Sequence, residues 1–163
     1  MRTDNIFTQE YLKSIFTYAN GNLYWKETKG RKIKGGIAGT KSNYYWQVCI
    51  NYKIYRVHRI IWIYHNATNP DYIDHINGNT FDNRIENLRD CNINQNRFNS
   101  KKYITNTSGV KGVNWCKQKN KWRARVFFNN KEYQIGFFND IKKAEQEIIK
   151  ERKKIHGEFS NNG

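Results

Sequence analysis

The chain has no long apolar run, no paired cysteines and few carboxylates, and each shortage removes a class of protein. No window approaches the apolar length needed to span a bilayer, and the opening MRTDNIFTQEYLKSIF lacks the basic, apolar, small-residue order of a secretory signal. The expectation is therefore a folded protein of the cytoplasm of whatever cell makes it, with no membrane partner. Cys49, Cys91 and Cys116 are odd in number, widely spaced and free of any Cys-x-x-Cys pair. That excludes a disulfide framework and a zinc knuckle, and predicts free, mostly buried thiols. His58, His65, His75 and His156 do not complete a tetrahedral zinc set either. Internal repeats, coiled-coil heptads and long charged tails are also missing.

What is present is positive charge. The 163 residues carry a net +15, which suits a polyanion, and in a chain 15% aromatic the commoner such partner is nucleic acid. The charge is uneven. Lys and Arg outnumber Asp and Glu by ten to three in residues 1–57 and by fifteen to six in 100–163, but trail by four to five in 58–99. Two basic flanks enclose a middle that gathers its carboxylates.

The first segment reads as a short helix, QEYLKSIFTYA, then strands around NLYWKE, YYWQVCI and KIYRVHRIIWIY, with the glycine-rich GRKIKGGIAG between them, and IYRVHRIIWIYHN also reads as a strand turning into a helix at a boundary the pattern does not fix. NSKKYITNTSG, residues 99–109, has the composition of a loop or linker. Beyond it, Trp122, Ala124, Val126 and Phe128 alternate with Arg123, Arg125 and Phe127, and Asn129-Asn130 turns the chain back through KEYQIGFF. Asn139 or Asp140 can cap a helix that carries Ile141, Ala144, Ile148 and Ile155 on one stripe and stops at Gly157. With VKGVNWCK as the first strand, residues 108–159 form a three-stranded sheet covered by one helix.

The middle holds YIDHINGNTFDNRIENLRDCNINQN, residues 72–96. Hydrolysis of a phosphodiester needs an activated water, neutralisation of charge on the phosphoryl oxygens and help for the leaving 3′ oxygen, and a divalent ion supplies the last two. His75 suits the base, since its ordinary pKa lies near neutrality. Asp74 points to the opposite face of a regular strand, so the two need not share one task. Asn92 and Asn96 stand one helical turn apart. Carboxylate and amide oxygens form a hard ligand set, suited to Mg²⁺ or Mn²⁺. Asn87, in the loop between, can fix the His75 imidazole through its amide or a nearby carbonyl. The same stretch also reads as an ordered surface loop built on Asx-turns.

From VHRIIW through DHINGNTFDNRIENLR to NQNRFN the chain resembles the HNH endonucleases, in particular the phage homing enzymes with Asp before the first His and Asn in place of the last. With the upstream NLYWKE, GGIAG and YRVHR, the resemblance covers roughly residues 10–99. It implies a ββα-metal core wrapped around one Mg²⁺, replaceable by Mn²⁺, with Asp74 and Asn96 as ligands, His75 as general base and Asn87 as the residue that orients it. Asn83 is close enough to share that role, and His58 falls in the recurring Val-His-Arg. No cysteine pairs flank the motif, unlike the zinc-binding members.

Residues 109–159 resemble the AP2 DNA-binding domain, through Gly109-Val110-Lys111, Trp115, Lys121-Trp122, Ala124, Gly136-Phe137-Phe138 and Ala144. The resemblance places the sheet in the major groove and implies DNA contacts from Lys111, Trp115, Arg123, Arg125 and Gln134. Val113 and Phe127 stand where plant members often have Arg, so base preference does not transfer. The whole is an α+β protein: a nuclease domain with an N-terminal strand-rich extension over 1–99, a linker over 100–107 and an AP2-like domain over 108–163. The expected activity is site-selective cleavage of double-stranded DNA to 5′-phosphate and 3′-hydroxyl by a homing endonuclease, a monomer more readily than a dimer. A non-catalytic repressor or architectural factor and an RNA-directed nuclease are the competing readings.

Overall fold

A computed structural model describes residues 7–163. Residues 1–6, which open the expected nuclease domain and the stretch that lacks a signal pattern, lie outside the described residues. The chain divides into two units, Met1–Cys91 and Asn92–Gly163.

In the first unit, helix α1 (Gln9–Ile15) starts at Thr8, whose hydroxyl accepts the Tyr11 backbone N–H at 3.2 Å. The helix ends before Phe16, four residues short of the expected QEYLKSIFTYA, because the aromatic and β-branched Phe16-Thr17-Tyr18 enter strand β1 (Phe16–Ala19). Asn20 and Gly21, with φ of 47° and 80°, make the left-handed turn that brings in β2 (Asn22–Trp25) antiparallel to β1. A meander follows, β3 (Thr40–Lys41), β4 (Trp46–Ile50) and β5 (Lys53–Arg56). The strand then becomes helix α2 (Val57–Asn66) without a break, and Ala67 ends it in the left-handed region with its N–H on the Ile63 carbonyl. The buried Leu12 of α1, Phe16 of β1, Leu23 of β2, Val48 and Ile50 of β4, and Ile60 and Ile61 of α2 make one core. Against it lies an antiparallel pair, β6 (Tyr72–His75) and β7 (Leu88–Cys91), joined by residues 76–87.

The second unit begins with α3 (Ile93–Phe98). Asn92 and Gln95 form a reciprocal capping box: the Asn92 Oδ1 accepts the Gln95 N–H at 2.9 Å and the Gln95 Oε1 accepts the Asn92 N–H at 2.8 Å. Strands β8 (Val113–Cys116), β9 (Lys121–Phe128) and β10 (Lys131–Phe138) form an antiparallel sheet in the order β10-β9-β8. The hairpin turn uses Asn129 and Asn130 at φ 49° and 60°. Asp140 caps helix α4 (Ile141–His156) through the Lys142 N–H, and Gly157 ends it. Val113, Ala124, Val126, Ala144 and Ile148 are the core between sheet and helix.

The sequence predicts a domain boundary after residue 99, whereas the compact units divide at Cys91 and Asn92. Side chains account for the difference. Asn161 donates its amide to the Asn99 backbone carbonyl at 2.9 Å and to its side-chain oxygen at 3.0 Å, and the Phe98 ring lies flat on that of His156. Cys91 is buried, but Cys49 is exposed and Cys116 intermediate, so the expectation of mostly buried thiols holds for one of three.

Candidate active site and nucleic-acid surface

Strand β6 ends in Asp74 and His75, which pair in register with Arg89 and Leu88 of β7. Both side chains are buried. Arg89 donates Nε and Nη2 to Oδ2 of Asp74, at 2.9 and 2.8 Å. A buried carboxylate needs such a partner, because desolvation without one costs several kcal/mol (about 3–5 where a pair is broken). The cross-strand register puts Arg89 opposite Asp74, a contact that no local sequence signal announces.

The His75 Nε2 meets Oδ1 of Asn83 at 3.1 Å. A side-chain amide at this distance orients the imidazole ring. Burial pushes the His75 pKa below the ordinary imidazole value, against the opposing pull of Asn83, Asp74 and Asp82. The ring is therefore neutral at neutral pH, the form in which a general base accepts a proton. His58, on α2, faces it edge-on with ring centroids 5.0 Å apart, and Tyr45 lies 5.3 Å from His58. His58 is buried with Nδ1 unpartnered, and burial first, then the His75, Arg56 and Arg59 charges, depress its pKa to about 3.

Asn87 is placed differently from the expectation. Its amide donates to the Asn77 side-chain oxygen at 3.1 Å and the Asp82 carbonyl at 2.7 Å, and accepts the Asn77 N–H at 3.0 Å. Its backbone carbonyl accepts the Ile76 N–H at 2.8 Å. Asn87 therefore ties the loop next to His75, and the imidazole contact belongs to Asn83. Asp82 completes the loop, accepting from Asn77 and, twice, from the Arg84 guanidinium, a contact that holds its carboxyl down to about 2. The Asx-turn reading of this stretch thus describes Asn77, Asn79 and Asp82 well.

Asn96 lies on α3 in the second unit, exposed. Asn92 is the N-cap of that helix rather than a partner of Asn96 on one helical face. Among the described residues no three His, Cys, Asp or Glu side chains gather into a metal-binding group. The donor set in the first unit is a single carboxylate with imidazole and amide neighbours. That chemistry fits Mg²⁺, which binds through one or two carboxylates, keeps several waters and takes further ligands from substrate phosphates.

Three of the five residues expected to contact DNA share one face of the second unit's sheet. Register places Arg123 opposite Asn114 and Phe137, and Arg125 opposite Gln134, all on the side away from the buried Ala124 and Val126. Glu132 pairs with Arg125 at 2.7 Å and lies 3.9 Å from Arg123. Lys119 lies over the Phe137 ring at 4.0 Å, a further cation beside this face. Trp115 and Lys111 do not stand there. Trp115 follows the buried Val113 by two residues and packs edge-on against Trp122, which puts it on the helix side of the sheet. The Lys111 amine is half-buried and donates to the carbonyls of Phe98, Ser100 and Asn161.

Residues 55–97 match the HNH endonuclease family model. The chain is also 34% identical over 111 residues to protein 3.8 of Escherichia phage T7, an alignment that spans 67% of this chain and 91% of that protein. It belongs to one family with that phage protein and carries an HNH endonuclease domain. The HNH match takes in α2, the β6–β7 pair and α3, so it covers His58, Asp74, His75, Asn83, Arg89 and Asn96. It begins well after residue 10, where the resemblance in sequence begins. No solved structure matches the chain. No helix among the described residues is long and apolar enough to cross a membrane.

Proposed function

We propose that this protein is a metal-dependent DNA endonuclease of the HNH class. The observation that carries the reading is a neutral, buried His75 oriented by Asn83 beside Asp74, inside the segment that matches the HNH model. His75 takes the proton from the attacking water. Asp74 and Asn96 are the proposed ligands of one Mg²⁺, which Mn²⁺ can replace; when bound, the ion neutralises the phosphoryl oxygens and the departing 3′ oxygen. Arg89 holds the Asp74 carboxylate in place through its two hydrogen bonds. The products are a 5′-phosphate and a 3′-hydroxyl.

The sheet of residues 108–163 is proposed as an AP2-type module on double-stranded DNA, with Arg123, Arg125 and Gln134 toward the bases. Together with the likeness to a phage protein, this supports a site-selective homing endonuclease acting as a monomer in the host cytoplasm.

A non-catalytic DNA-binding protein is favoured by one observation: Arg89 already neutralises Asp74. Conversion of supercoiled plasmid separates the two. Relaxation or linearisation with Mg²⁺, abolished by EDTA and by His75→Ala, supports the nuclease; duplex binding without cleavage in Mg²⁺ or Mn²⁺ supports the repressor.

A further inference from the structure

The second unit holds a cleft of about 610 Å³, and of its lining only Arg125 has a part in the roles proposed above. Arg97, Lys101, Lys102, Lys111, Arg125 and Arg152 line it, with no Asp or Glu among the described lining residues. Four of these cations already have partners. Lys111 and Arg152 hold backbone and side-chain oxygens, Lys102 donates to the Gly109 carbonyl, and Arg125 pairs with Glu132. The side chains of Arg97 and Lys101 are exposed and make no ion pair among the described residues. They leave a positive field that selects an anion.

The same cleft is aromatic. The Phe98 and His156 rings stack at 3.9 Å and 4°, with the Phe128 ring 5.7 Å from Phe98 at 25°. Tyr103 is 81% exposed, although burying an aromatic of its size is worth a few kcal/mol (about 1.5–3). The volume falls in the range that takes one small ligand, ~300–1,000 Å³, and a paired base cannot present its face to a ring from within a duplex.

We propose that this cleft binds an unpaired nucleotide of a DNA strand, with Arg97 and Lys101 on its phosphates and Tyr103 stacked on its base. Base-on-aromatic stacking inside a basic groove is the physics of sequence-tolerant single-strand binding. The cleft meets the arginine face of the sheet only along its border at Asn114 and Arg125; that face is suited to duplex, and binding in the cleft requires no cleavage. The proposal goes beyond the nuclease reading and does not depend on it.

The test is anisotropy of the full chain with a short fluorescein-labelled oligothymidylate and, separately, a labelled hairpin duplex, without divalent metal. Tyr103→Ala should weaken single-strand binding by roughly 5- to 150-fold, the range of one base-stacking interaction, and leave duplex binding unchanged. Arg97→Ala/Lys101→Ala should reduce the slope of log affinity against log salt for the single strand by about 1.4, about 0.7 for each phosphate no longer neutralised. Both substitutions are at exposed side chains, and circular dichroism confirms that the variants fold. Absence of single-strand binding by the wild type, unchanged binding by the variants, or equal losses on both DNAs would overturn the proposal. Plasmid cleavage measured on the same wild-type preparation reports on the nuclease reading separately.

Discussion

The amide oxygen of Asn83 lies 3.1 Å from Nε2 of His75, and the two side chains are 3% and 5% exposed. This contact holds the orientation of the imidazole ring. Asn87, four residues on, makes three hydrogen bonds through its amide, all of them to the loop.

On the proposed mechanism, with His75 as the base, Asn83→Ala should lower plasmid cleavage about 10- to 100-fold, the usual cost of removing a group that orients an active-site side chain, with a smaller effect on stability. Asn87→Ala should do the reverse. It leaves the Asn77 N–H and the Asp82 carbonyl without their partner, at about 1–3 kcal/mol, measurable by urea denaturation. Equal losses of stability in the two variants would contradict this division of labour.

Arg89→Met removes the guanidinium that neutralises a carboxylate only 6% exposed. The expected loss is large, about 3–5 kcal/mol, because the remaining charge stays buried. Adding Asp74→Asn should recover most of it, and a double-mutant cycle by urea denaturation measures the coupling.

Burial depresses the pKa of both His58 and His75, that of His58 to about 3. The unfolded chain consequently binds more protons below the ordinary imidazole value, so stability is fully present above about pH 6.5 and falls as the pH drops toward the folded value. The urea midpoint should decline between about pH 7 and pH 5, and His58→Gln should flatten that decline. On the proposed mechanism, in which neutral His75 is the base, the acid limb of the cleavage profile should lie below the ordinary imidazole pKa.

Gly21 sits at φ +80°, and a Cβ there would fall 2.8 Å from the backbone nitrogen of Arg84. The β1–β2 turn thus presses directly on the residue that follows Asn83. Gly21→Ala should cost more than about 1 kcal/mol from the backbone conformation alone, and should also lower cleavage because the loop must shift.

On the sheet, Arg125→Ala should weaken duplex binding and reduce its salt slope by about 1 if the arginine meets phosphate, or relax sequence preference at one position by about 1–3 kcal/mol if it meets a base. Glu132→Gln removes its counter-charge and should strengthen duplex binding. Anisotropy over a salt series reads both.

The sheet and helix of the second unit are legible in the sequence because their signals are local: Asn129-Asn130 at the turn, Asp140 at the cap, Gly157 at the stop. The Asp74-His75 pair stands out in the sequence, and it falls inside residues 55–97, which match the HNH model. The features that escape depend on register and on distant packing. Arg89 faces Asp74 only once two strands joined by residues 76–87 are aligned. Trp115 takes its side from the buried Val113 two residues before it, and Lys111 is drawn inward by carbonyls at positions 98, 100 and 161. Helix α1 ends early because a strand partner, Asn22–Trp25, is available to Phe16–Ala19.

The loop between β6, which ends in the Asp-His pair, and β7 is wired mostly to itself: Asn77 to Asp82 and Asn87, Asn79 to Phe81, Asp82 to Arg84. Its tolerance to change is accordingly that of a single heritable block. Asn77, Asp82 and Asn87 each satisfy atoms of another member, so a viable new sequence for the loop must replace them together, whereas Asn83 can be varied alone to retune the imidazole. A library randomised across residues 76–87 should return survivors in which the three covary and the fourth does not.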